Sequence, residues 1–100
     1  MKILLLGKDG QLGWELQRSL APLGELIALG PDTPGGDYAR LDEVERAVRS
    51  IAPDVIVNAG AHTAVDKAES EPELARQLNT LAPAMLASEA KRLGAWLVHY

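Results

Sequence analysis

Gly7-Lys8-Asp9-Gly10-Gln11-Leu12-Gly13 stands between a continuous apolar run, Ile3 to Leu6, and a stretch in which Leu12, Leu16, Leu20 and Leu23 recur at helical spacing. A buried strand that runs through glycines directly into an amphipathic helix is the opening of a βαβ unit. The alternation continues along the chain. Leu26 to Leu29, Val55 to Val57 and Ala95 to Tyr100 read as further strands, each expected to be buried on both faces. Pro22 with Gly24 closes the first helix. Asp42 followed by Glu45 predicts a capping-box-like start for a second, with Val44, Ala47, Val48 and Ile51 on its apolar stripe and Pro53 as its stop. Ser70, Pro72 and Glu73 open a third and longer helix, whose Leu74, Leu78, Leu81, Met85 and Leu93 track one face until Gly94, with a kink expected at Pro83. Gly30 to Gly36 carries Pro31, Pro34 and three glycines, so it is a loop, with a short edge strand expected near Asp37-Tyr38. The expected fold is α/β, a Rossmann-like doubly wound parallel sheet of about four to five strands in one incomplete domain over residues 1–100.

Composition removes several other classes. With 47% hydrophobic and 24% charged residues the chain is globular and not a disordered tail. Its net charge of -4 provides no field for a long nucleic acid, so no nucleic-acid partner is expected. It has no cysteine, which excludes a disulfide framework and a thiol nucleophile and fits a cytoplasmic protein. The apolar start is too short for a signal peptide and no segment reaches the ~18 apolar residues of a membrane span, so no membrane partner is expected.

The glycine loop has the chemistry of a diphosphate site. Glycines let backbone approach the phosphates, and the helix that follows offers unpaired amides and the positive end of its dipole. Gly13 serves close packing of helix on sheet. The spacing G-x-x-G-x-x-G differs from the common dinucleotide pattern G-x-G-x-x-G, and it lacks the G-K-[ST] of a P-loop. A tight turn without ligand is the plainer alternative. In a doubly wound sheet ligands lie across the carboxyl ends of the strands, which gathers distant segments. Asp32, about 20 residues past the loop, stands near where an acid meets the adenosine ribose. Asp37-Tyr38 can border the adenine or be a solvated acid beside a part-buried ring. Asn58-Ala59-Gly60-Ala61-His62-Thr63 is a small-residue series after the third strand, and Tyr100 ends the last strand at the same edge. His62 and Asp66 are too few for a metal, so none is assigned. His99 reads as a core or interface histidine, Asp66 to Glu71 as a solvated charged face, and Trp14 as a packing or interface residue.

Gly7 to Gln17, Asn58 to Glu69 and Gly94 to Tyr100 together resemble the extended short-chain dehydrogenase/reductase superfamily and, within it, the dTDP-4-dehydrorhamnose reductase family. The resemblance covers nearly the whole chain and is weakest from Gly30 to Leu41. It implies a bacterial enzyme that uses NADPH or NADH to reduce a dTDP-sugar for cell-surface polysaccharide, with Mg2+ and a homodimer within the family's range. It places cofactor contacts at Gly10, Gln11, Leu12, Gly30, Asp37, Tyr38, Ala61, His62, Thr63 and Tyr100, beside Gly7 and Gly13 of the loop. Gly30 stands where the family often has an acid, and Asp9 where it often has Thr. In the superfamily a Ser/Thr and a Tyr-x-x-x-Lys follow this last strand and provide the acid-base chemistry. Residues 1–100 contain no such pattern, so no catalytic residue is assigned. The chain reads as the N-terminal, cofactor-binding part of a reductase, without the C-terminal substrate domain and inactive alone. A non-catalytic dinucleotide-binding regulatory module and a nucleotide-sugar epimerase or dehydratase share the glycine loop.

Overall fold

The computed structural model describes residues 1–8, 11–30, 33, 35–37, 40–59 and 80–99. Strand β1 is Lys2–Leu6, followed by helix α1, Gln11–Leu20, a 3₁₀ turn at Ala21–Leu23, and strand β2, Glu25–Leu29. Helix α2, Leu41–Ile51, leads to β3, Val55–Asn58, and helix α3, Ala82–Leu93, leads to β4, Trp96–His99. All the pairings are parallel and the strand order is β2-β1-β3-β4. The order reverses direction at β1, so its carboxyl end is the topological switch point where α/β sheets take ligands. The α/β Rossmann-like architecture is the one expected, with four strands among the described residues.

Alternation along β1 divides the core in two. Leu4 and Leu6 point to one face with Ile56, Val44, Val48 and Leu86, while Ile3 and Leu5 point to the other with Val57 and Leu16. Helices α2 and α3 thus cover one side of the sheet and α1 the other. The α2 stripe is as read, with Val44 and Val48 fully buried. Its start differs: Arg40 occupies the N-cap without a side-chain cap bond, and Asp42 lies in the first turn, where its charge favours the helix dipole. The helix stops before Pro53, with Ala52 left-handed at φ +50° and Lys2 Nζ donating to the Ile51 carbonyl at 2.9 Å.

Other expectations need correction. Leu23 is 60% exposed, because the 3₁₀ turn after Leu20 rotates it off the buried stripe. Strand β4 is not buried on both faces: Trp96 is 78% exposed, and His99 lies at the surface and not in the core. Strand β2 is mostly half-buried. Asp37 belongs to no strand; Thr33, Gly36 and Arg40 close successive turns through this stretch. Pro83 is near the start of α3, and Thr80-Leu81 before it are π-helical, so the pitch changes beside the proline. Gly94 ends α3 in the left-handed conformation at φ +69°, as read. The start at Ser70 to Glu73 lies outside the described residues.

Candidate dinucleotide site

The carboxyl ends of β1, β2 and β3 are bonded into one rim. The Gly7 and Lys8 amides both donate to the Leu29 carbonyl, at 2.9 and 3.2 Å, and Ala59 N–H donates to the Leu6 carbonyl at 2.9 Å. Gly7 makes its turn at φ +88°, open to glycine without strain. Directly above it, α1 brings Gly13 so close that a Cβ there would overlap the Gly7 carbonyl oxygen and lie 2.9 Å from Lys8 Cα. Close packing is therefore what Gly13 does. Gln17, one turn further along α1, donates from Nε2 to the Lys8 carbonyl at 3.1 Å.

The β2 end is equally tight. Gly30 is buried; its N–H reaches Thr33 Oγ1 at 3.3 Å and its carbonyl accepts from Thr33 N–H at 2.9 Å. A Cβ on Gly36 would overlap the Gly30 carbonyl, so the loop folds back over the strand end with no side chain between. On the other side of the rim Asn58, only 3% exposed, donates from Nδ2 to His99 Nδ1 at 3.0 Å, which joins the ends of β3 and β4.

The structure brings Gly7, Gln11, Leu12 and Gly13 together at one strand-to-helix turn, with Gly30 at the neighbouring strand end and Asp37 beyond it. Leu12 is half-buried and packs against the core cluster of Ile3 and Leu5. The amides of the first turn of α1 have no partner within the helix, and no acidic side chain stands in that turn to answer them. Gly10, Asp32, Tyr38, Ala61, His62, Thr63 and Tyr100 lie outside the described residues. Trp14 is 55% exposed on the outer side of α1 with the Arg18 guanidinium 5.3 Å from its ring centre. Among the described residues no group of three or more His, Cys, Asp or Glu side chains is placed to hold a metal, and no helix is long and apolar enough to cross a membrane. Gln17 and the Asn58–His99 pair escaped the sequence reading. Gln17 has one faint signal, its place one turn after Gly13.

A parallel sheet with its switch point at β1, entered by a glycine turn into α1, is a Rossmann-like domain. The family model described as "RmlD substrate binding domain" matches residues 1–100. A dTDP-4-dehydrorhamnose reductase of Salmonella typhimurium is 59% identical over all of this chain and 34% of its own length. The one from Burkholderia thailandensis is 48% identical over 100% of the chain and 33% of its own length. Among solved structures, a dTDP-4-dehydrorhamnose reductase of Clostridium acetobutylicum aligns with TM-score 0.79 and 37% identity over 97% of this chain and 34% of that one. The reductase of Bacillus anthracis in complex with NADP aligns with TM-score 0.77 and 30% identity over 96% and 34%. The chain belongs to the dTDP-4-dehydrorhamnose reductase family, and it spans about a third of the length of these curated relatives.

Proposed function

We propose that this chain is the cofactor-binding part of an NAD(P)H-dependent reductase that converts dTDP-4-dehydro-6-deoxy-L-mannose to dTDP-L-rhamnose. The observation that carries the reading is the side-chain-free contact of Gly13 with Gly7 and Lys8 at the switch point, a cradle that one Cβ would fill. It accords with the NADP complex of the Bacillus anthracis relative. In this reading the backbone at Gly10, Gln11 and Leu12 binds the diphosphate, with Gly7 and Gly13 shaping the turn. Gly30, Asp37 and Tyr38 border the adenosine, and the family resemblance adds Ala61, His62, Thr63 and Tyr100 as further cofactor contacts. Bound NAD(P)H supplies a hydride to the C4 carbonyl carbon of the sugar. The task of residues 1–100 is to orient the cofactor, while protonation of the C4 oxygen falls to the Tyr-x-x-x-Lys that the superfamily carries further along.

Titration with NADPH and with NADH, followed by tryptophan fluorescence, tests this. Saturable binding that Gly10→Glu abolishes is the expected result. A folded chain that binds neither cofactor refutes the reading.

A further inference from the structure

We infer that Gln17 is a positioning residue for the diphosphate-binding turn. This deepens the dinucleotide reading above and rests on it. The Gly7 and Lys8 amides are both committed to the Leu29 carbonyl, so they have nothing left for a phosphate. The donors must come from further along the turn and from the start of α1. The peptide that leaves Lys8 is then decisive, because its carbonyl oxygen would repel a diphosphate if it faced the site. Gln17 prevents that by holding the Lys8 oxygen against the flank of α1 at 3.1 Å. Gly13 makes the arrangement possible by letting α1 lie on the turn, and Gln17, one turn later on the same side, reaches back over it.

The experiment compares wild-type chain with Gln17→Met, which has similar length and helix propensity but no donor, and Gln17→Lys, which restores one. The probes are NADH, ADP-ribose and adenosine, with binding followed by NMR. Gln17→Met weakens NADH and ADP-ribose by about fivefold, the value of one neutral hydrogen bond, and leaves adenosine, which has no phosphate, unchanged. Gln17→Lys recovers ADP-ribose binding at about 0.5 M salt, where its added charge is screened. The inference fails if Gln17→Met binds ADP-ribose as wild type does, or if adenosine weakens by the same factor, since that marks general loosening. It also fails if Gln17→Lys binds no better than Gln17→Met. If folded wild type binds neither NADH nor ADP-ribose, the dinucleotide reading falls, and this inference with it.

Discussion

Gly13 concentrates the constraint on the site into one missing methyl group. A Cβ there meets backbone atoms of Gly7 and Lys8, which cannot swing aside as a flexible side chain would. Gly13→Ala must lift α1 off the turn, and we expect a loss of about 3 kcal/mol, at the upper end of overpacking costs. Chemical denaturation of the two proteins measures it, and a difference below about 1 kcal/mol would contradict the contact. The importance of Gly7 and Gly13 was legible from their place between an apolar run and a leucine stripe. The bond from Gln17 to Lys8 was not, because a glutamine on a helix looks the same whether it faces water or a neighbouring carbonyl. The Asn58–His99 bond was hidden for another reason. It exists only because parallel register sets these residues side by side, 41 positions apart in the chain.

Between α2 and α3 an ion cluster stands beside the apolar core that the two helices share. Glu89 is 3% exposed and receives Arg49 through Nε at 2.8 Å and Nη2 at 3.3 Å, with Arg92 Nη2 at 3.2 Å. The hydrogen bond from Arg49 holds its carboxyl below the ordinary value of 4.5; desolvation opposes the shift, and Arg92 adds to it. Because the folded state depresses this pKa, the stabilisation is fully present above about pH 4.5 and is lost as pH falls from there through the folded value. Glu89→Gln should flatten that acid limb in a series of thermal melts from neutral pH downward; an unchanged limb would show that other carboxylates carry it. Glu89→Ala should cost about 1.5–3 kcal/mol at neutral pH by equilibrium unfolding, the range of hydrogen bonds to charged groups. An acid three residues after Leu86 in an apolar stripe was the clue in the sequence. The helices themselves were legible because their periodicity extends over several turns. The errors fell where a helix tightened into a 3₁₀ turn at Leu23, and where cap and first turn compete for the same residue types at Arg40 and Asp42.

At the scale of the molecule, the sheet is covered unevenly. α1 packs on β1 and β3 residues, but on the same face of β4 Trp96 and Val98 are exposed, at 78% and 39%. Leucine and valine content marks a strand without telling whether anything lies over it, so β4 read as a central strand. An exposed indole on an edge strand favours association. We expect the isolated chain to show concentration-dependent sedimentation, and Trp96→Glu to shift it toward the monomer; a wild-type chain monomeric throughout would contradict this.

The strand order also governs how the fold can come into being. No two adjacent strands among the described residues are consecutive partners of a hairpin. Lys2 pairs with Glu25, Ile3 with Val55 and Val55 with Trp96, across 23, 52 and 41 positions. Each pairing must close a long loop before it gains anything, which is the condition for slow folding. On a ribosome β1 is made before the other three strands described, and its partner β3 follows 52 positions later. Until then Leu4, Leu5 and Leu6 have only β2 and α1 for cover, and at this stage the chain depends on whatever shields apolar segments in the cell.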